Sequence, residues 1–417
     1  MNKDITTAIA MPQKQFGVLS LPVIVGALGF FVDVYDLLLF SIVRVPSLTD
    51  LGLNPKQVLS QGELIISVQM IGLMVGGILW GIIGDKKGRL NVLFGSILLY
   101  SLANFANGMV HTIPQYVITR FIAGIGLAGE LGASITLVAE ILPKEKRGLG
   151  ASVITSVGVF GAVTAYFVFE TFGDWRLCYH IGGAMGLLLL FLRVSIFESG
   201  MYDAIKKTNV KRGNFLMFFT NKDRFARYVK GVVIGLPVWF AIGVLITFSD
   251  KFAEEMGIKN ISPGKAIMYQ YFAIAFGDLA AGLLSNYLKS RKKALFIFFG
   301  ILTLFMILYF TQSGGSTETM YWLCAGLGFG SGFSVLYITM SAEQFGTNLR
   351  ASAAISIPNM VRGGLPLILL LFRGIRSITH DYIIGGCITG FIIMGLAVWA
   401  AYYTKESFGR DLNFVEE

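Results

Sequence analysis

Twelve predominantly apolar stretches run through this 417-residue chain, at about 17–43, 62–84, 92–110, 114–139, 149–170, 176–195, 231–250, 264–287, 294–312, 319–342, 351–372 and 380–402. Each is close to the roughly twenty residues that span a bilayer as a helix. In lipid, backbone N–H and C=O groups must be satisfied within the protein, so helices are the only sensible reading. The chain is therefore expected to be an all-α membrane protein of twelve transmembrane helices. Hydrophobic residues make up 54% and charged residues 14%, where a soluble chain carries about 25% charged residues. That gap excludes a soluble two-domain enzyme and a disordered chain. The first apolar run starts near Phe16, is too long for the core of a signal peptide and has no good cleavage site. Cys178, Cys324 and Cys387 lie in apolar runs, with no spacing that suggests a disulfide framework or a metal site.

The net charge of +9 is not a nucleic-acid patch, because it concentrates in short loops. Alternate loops and the tails hold 23 of the Lys and Arg residues, the opposite loops hold 8, and Arg120, Arg193 and Arg362 lie inside helices. This bias predicts that both termini lie in the cytoplasm. The longest polar segment, 196–230, is basic. It is expected to be a cytoplasmic linker between an N-terminal six-helix bundle (1–195) and a C-terminal one with a short tail (231–417).

The two halves repeat. Ala123-Gly-Ile-Gly126 followed by Glu140-Ile-Leu-Pro-Lys-Glu-Lys-Arg147-Gly148 matches Ala325-Gly-Leu-Gly328 followed by Glu343-Gln-Phe-Gly-Thr-Asn-Leu-Arg350-Ala351. Helix two ends in Gly81-Ile-Ile-Gly-Asp85-Lys-Lys-Gly-Arg89, and helix eight ends in Gly282-Leu-Leu-Ser-Asn286, followed by Lys289 and Arg291. Three matches at one offset near half the chain length imply two parallel six-helix repeats. The loop Gly-x-x-x-Asp-Lys-x-Gly-Arg, the twelve helices and the mid-chain loop resemble the major facilitator superfamily over essentially the whole chain. The run from Arg120 through Gly124, Gly126, Gly129 and Glu130, then Glu140, Pro143, Arg147 and Gly148, is similar to sugar porters, organic-ion transporters and metabolite–proton symporters. Ala128-Gly129-Glu130 leans toward the last of these, echoed weakly by Phe197-Glu198-Ser199. Asn286 departs from the Asp usual in the repeated loop.

Asp85, Arg89, Glu140, Arg147, Glu343 and Arg350 fall at helix ends on one side, with Gly81 just above Asp85. Carboxylate–guanidinium pairs there can latch one bundle to the other, and the resemblance implies a cytoplasmic gate. Charges inside the membrane cost several kcal/mol unless paired or hydrated. Asp36 and Arg120 each lie about 10 Å below the outer surface at about 1.5 Å per residue, so they can pair if their helices are neighbours. The resemblance to proton-coupled sugar porters places an Asp in helix one and an Arg opening helix four at these positions. Burial favours the protonated form of a carboxylate and a nearby guanidinium favours the ionised form. A pair that alternates between joined and separated states can therefore bind and release a proton; the alternative is a static salt bridge. Asp33, Glu130 and Arg362 fall near the midplane, the depth at which such transporters bind substrate. They would suit a zwitterion or a polar carboxylate. Tyr35, Gln69, Tyr269, Gln270, Tyr337 and Asn359 are further candidates to line a cavity, whereas Asp278 lies lower and can equally brace the basic loop. Pro237, Pro358, Pro366 and Gly363-Gly364 mark points where helices can bend. His111, His180 and His380 are scattered toward the outer side.

The expected function is proton-coupled symport of a small polar organic metabolite by alternating access: an amino acid, a betaine-like zwitterion or a carboxylate. Drug–proton antiport is the alternative, but helix five lacks the Gly-Pro run usual in antiporters of this superfamily. A uniporter would need no titrating carboxylate. A non-transporting sensor would need more than the 196–230 loop as an output domain. No nucleophile–base constellation, metal cluster or phosphate loop points to an enzyme. The expected partners are the solute, the proton as coupling ion, and the lipid of a bacterial inner membrane. No cofactor and no nucleic acid are expected, and the family default is a monomer.

Overall fold

The structure, a computed structural model, describes residues 17–143, 146–192, 215–312 and 314–416, and leaves out the side chains of Leu59 and Arg89. Residues 196–214 of the expected linker, and Arg193, lie outside that part. Among the described residues, twelve helices are long and apolar enough to cross a membrane: α1 (Leu21–Asp50), α2 (Pro55–Lys87), α3 (Leu90–Gly108), α4 (Ile113–Ile141), α5 (Arg147–Phe172), α6 (Trp175–Leu192), α7 (Lys222–Ile246), α8 (Pro263–Leu288), α9 (Arg291–Phe310), α10 (Thr317–Glu343), α11 (Arg350–Thr379) and α12 (Tyr382–Tyr402).

Their starts follow from local chemistry. The first N–H groups of a helix have no partner within it, and a polar side chain just ahead can satisfy them. Asn54 with Gln57, and Thr112 with Gln115, form reciprocal capping boxes, each with Pro in the first turn. Ser262, Ser290, Ser316 and Asp381 cap α8, α9, α10 and α12.

Several helices bend where the sequence offers a reason. Pro237 in α7 is followed by a π-helical turn over Ala241–Ile246. In α11 the helical hydrogen bonding restarts at Gly364, between Pro358 and Pro366. Without a sequence signal as plain as proline, α4 is interrupted at Ala128 and Gly129, and α10 passes through a 3-10 turn over Ser331–Phe333.

Within the first half α1 packs on α5 and α6, α2 on α4, and α3 on α6; within the second α8 packs on α10 and α7 on α12. The two bundles meet along α2 against α11 and α5 against α8. Close approach at the first seam needs glycine. A Cβ at Gly81 would lie 2.9 Å from the Ser352 backbone, and one at Gly77 would lie 2.8 Å from the Asn359 Cβ; α4 comes as close to α11 at Gly132, where a Cβ would collide with Ile355. Helices α1, α4, α7 and α10 are the most buried of the twelve, and α6, α9 and α12 the most exposed. The exposed helices turn their large apolar side chains, such as Phe191, Leu304 and Phe391, outward, as lipid contact requires.

Candidate functional site

A small cavity of about 50 Å³ lies between the halves. Its walls come from α1, α4 and α5 on one side and α7, α8, α10 and α11 on the other. They are mostly apolar and aromatic, with Phe30, Trp239, Tyr271 and Tyr337 among them. Two charged residues face it, Arg362 and Asp278. Arg362 donates from Nη1 to Asn359 Oδ1 at 3.2 Å, with its guanidinium carbon 6.0 Å from the Trp239 ring centre. Asn359 in turn donates to the carbonyls of Ile355 (2.8 Å) and of Ala128 (2.7 Å) at the break in α4. One amide thus orients the arginine and ties the halves together.

Of the expected solute-binding residues, Arg362 and Tyr337 line this cavity and Asn359 stands behind Arg362. The others lie elsewhere. Tyr35 turns into the first bundle and donates to the Cys178 carbonyl of α6 at 2.9 Å. Gln69 donates to the Leu37 carbonyl of α1 at 3.2 Å. Tyr269 stacks on Tyr321 with ring centres 5.3 Å apart. Gln270 is fully buried and packs its backbone against α10 at Gly328. Helical phase explains the last two: α8 presents Tyr271, Ile274 and Asp278 to the cavity, positions three and seven apart on one face. Neither Asp33 nor Glu130 forms its wall. Both are fully buried in the first bundle, where Glu130 accepts from Ser134 Oγ at 3.1 Å.

Asp36 and Arg120 are brought together in that bundle, both with no solvent exposure. Arg120 Nη2 donates to the Asp36 backbone carbonyl at 3.0 Å, and no ion pair within 4.0 Å joins the two side chains. The Asp36 carboxylate oxygens have no hydrogen-bond partner. Asp36 lies against α6 at Gly182, where a Cβ would strike its Oδ1. The Arg120 guanidinium lies 5.5 Å from the centre of the Tyr179 ring, and Tyr179 shares a 2.8 Å hydrogen bond with Tyr116. The depth arithmetic changes: α1 continues past residue 43 to Asp50, so Asp36 is nearer the middle of its helix. The two residues meet regardless.

On the face that carries most of the Lys and Arg, the basic face, the halves are joined by charge. Glu140 and Arg350 form a pair at 3.2 Å with both side chains fully buried. The Asp85 carboxylate accepts from the backbone N–H groups of Ala351 (3.1 Å) and Ser352 (2.9 Å). It caps the start of α11 across the interface, where the helix dipole favours an anion. Glu343 pairs instead with Arg291 of its own half at 3.0 Å. Arg147 donates from Nε to the Leu142 carbonyl at 3.3 Å. The side chain of Arg89 lies outside the described residues.

Two features had no sequence signal strong enough to find them. The segment after α12 crosses the basic face. Leu412 is fully buried beside Ala139 of α4, and its carbonyl accepts from Arg350 Nη2 at 2.5 Å. Glu416 binds Arg227 at 2.9 and 3.1 Å. Glu406 is held at the start of α9: partial burial pushes its carboxyl up, but hydrogen bonds from Ser290, Phe408, Arg291 and Lys292 outweigh this and keep it below its usual range. On the opposite face, Glu63 of α2 pairs with Arg373 of α11. Arg44 of α1 lies 5.6 Å from the Phe248 ring beyond α7. The halves are thus in contact on both faces, on either side of the central cavity.

A twelve-helix membrane fold with a cavity between two repeats defines a transporter, not a catalyst. The sequence model of the Major Facilitator Superfamily matches residues 25–368, and the chain belongs to that family. It is 26% identical over 367 residues to a niacin transporter of Acinetobacter baylyi, covering 79% of this chain and 81% of that one. It is 30% identical over 223 residues to a Bacillus subtilis protein described as "Putative niacin/nicotinamide transporter", a match that spans 53% of that protein and 52% of this one. The fold matches that of a proton:xylose symporter with TM-score 0.74 at 17% identity, over 94% of this chain and 97% of the other. The chain is an integral multi-pass membrane protein and a secondary transporter of small metabolites.

Proposed function

We propose that this transporter imports a small organic carboxylate together with a proton. Arg362 carries the proposal: it is a buried guanidinium on a cavity wall, and among the described residues no carboxylate lies within 4.0 Å of it. A buried cation without a counter-ion is costly, and a solute carboxylate can supply the missing charge. Niacin, benzoate and proline or betaine, named for similar transporters, all have a carboxylate in common.

The proton is assigned to Asp36. Its carboxylate is unbonded while Arg120 is drawn aside to a backbone carbonyl. Turning Arg120 back to the carboxylate would favour the ionised form and release the proton. The basic face is assigned to the cytoplasm of a bacterial inner membrane, with residues 1–195 and 231–417 as the two rocking halves, 196–230 as the linker, and a monomer as the working unit. Solute and proton then bind from the opposite face when the Glu63–Arg373 contact opens. They are released when the Glu140–Arg350 and Asp85 contacts break, because together the two ligands favour the closed intermediate.

Uptake of radiolabelled niacin or betaine into proteoliposomes, with and without an inward proton gradient, tests this. Concentrative uptake that needs the gradient, and is lost in Arg362→Gln, is expected. Equal uptake with and without the gradient would remove the coupling.

A further inference from the structure

Asp278 is fully buried on the cavity wall opposite the first bundle. Its Oδ1 accepts from Ser334 Oγ at 2.8 Å, the Thr155 hydroxyl and the Val335 backbone N–H stand beside the carboxyl, and its Oδ2 forms no hydrogen bond within 3.5 Å. No ion pair within 4.0 Å joins it to Arg362 or to another described cation. Asp278 is ten residues above the basic-face end of α8, and Arg362 is twelve above that of α11. At about 1.5 Å per residue the two differ in depth by about 3 Å. Tyr271 and Tyr337 lie within electrostatic reach of both. The cavity therefore has a cationic pole, an anionic pole and an aromatic wall between them.

A simple carboxylate would satisfy only Arg362 and leave the free oxygen of Asp278 buried without a partner. Leaving such a group unsatisfied is what penalises the wrong ligand in a polar site. From this we infer that the solute carries a basic or cationic nitrogen as well as a carboxylate, on a small apolar body that lies against Trp239, Tyr271 and Tyr337. Asp278 is then the residue that sets specificity, reading the nitrogen while Arg362 holds the carboxylate. An aromatic wall favours the same ligand, since ring faces attract cations. This inference rests on the proposed carboxylate transport and narrows it.

The test is calorimetric titration of the purified full chain with three probes: pyridine-3-carboxylate, glycine betaine and benzoate. The first two carry both groups, whereas benzoate matches the first in size and carboxylate but lacks the nitrogen. Wild type is expected to bind the nitrogen-bearing probes about tenfold or more tighter than benzoate, because the pyridine nitrogen can share a proton with the Asp278 carboxyl, and the quaternary ammonium, which has no N–H, sets its positive charge beside it. Asp278→Asn is expected to weaken glycine betaine about tenfold and leave benzoate within threefold, so benzoate binding also reports an intact fold. Should that variant fail to fold, Asp278→Glu keeps the charge and is expected to keep the discrimination. Equal affinity for all three probes in wild type, or equal losses for all three in Asp278→Asn, would overturn the inference but leave carboxylate transport standing. Failure of all three to bind would overturn both.

Discussion

Asp85 and Asn286 occupy equivalent ends of α2 and α8, 201 residues apart, but only Asp85 is bonded across the interface. Asp85 caps α11 through two backbone N–H groups, whereas the Asn286 side-chain carbonyl has no hydrogen-bond partner. At the matching start of α5, a Cβ on Gly148 would strike the guanidinium of Arg291, which is itself neutralised by Glu343. Glu140 and Glu343 diverge in the same way: the first reaches across to Arg350, and the second stays within its half. One aspartate replaced by asparagine separates a charged cap from a neutral contact. A repeated sequence motif thus gives a seal whose electrostatic strength comes mainly from one repeat.

The strongest way to break this asymmetry is Glu140→Gln, which removes the buried charge pair that joins Glu140 of the first half to Arg350 of the second. Removing one member of a buried pair costs about 3–5 kcal/mol. Maleimide labelling of a cysteine at Ile355, buried where α11 meets α4, should then accelerate at least about 100-fold; an unchanged rate would mean the pair does not hold the halves together. Next is Asp85→Asn, which removes the charge from the α11 cap. A loss of about 1–2 kcal/mol should raise labelling of the same cysteine by about tenfold. The converse, Asn286→Asp, sharpens the comparison by offering α5 the missing cap. Labelling should slow by a factor of about two to five, the effect of an anion at a helix start; faster labelling would contradict the assigned asymmetry. Smallest is Glu63→Gln on the opposite face, where the pair is partly exposed and worth about 0–1 kcal/mol. A cysteine at Thr247 should label less than about fivefold faster.

The fold was legible because membrane helices announce themselves by length and apolarity, and all twelve runs correspond to helices. Helix ends were less so. The first apolar run ends at about residue 43, but α1 carries Pro46 internally and runs to Asp50. For the site, charge was a partial signal: Asp36 and Arg120 lie close together and Arg362 faces the cavity, but the equally charged Asp33 and Glu130 do not, whereas the uncharged Tyr337 does. Other uncharged candidates fared differently, because a tyrosine or glutamine in a helix has several faces to choose from and a backbone carbonyl to bond on most of them, as Tyr35 and Gln69 do. Helical phase, not depth, brings Asp278 to the cavity, on the same face of α8 as Tyr271 and Ile274. The tail's docking left little trace in the sequence, since Glu406 and Glu416 lie in a short polar run with no pattern that names their partners, and Leu412 is its single fully buried apolar contact beside Ala139.

The most direct check on the account is to compare two modes of transport in one variant, Asp36→Asn, in proteoliposomes. Exchange of labelled for unlabelled solute at equal pH needs both cavity openings but no net proton movement. Accumulation driven by an inward proton gradient needs a carboxylate that titrates. The account predicts that exchange persists and accumulation is lost; accumulation equal to that of the unaltered protein would contradict it.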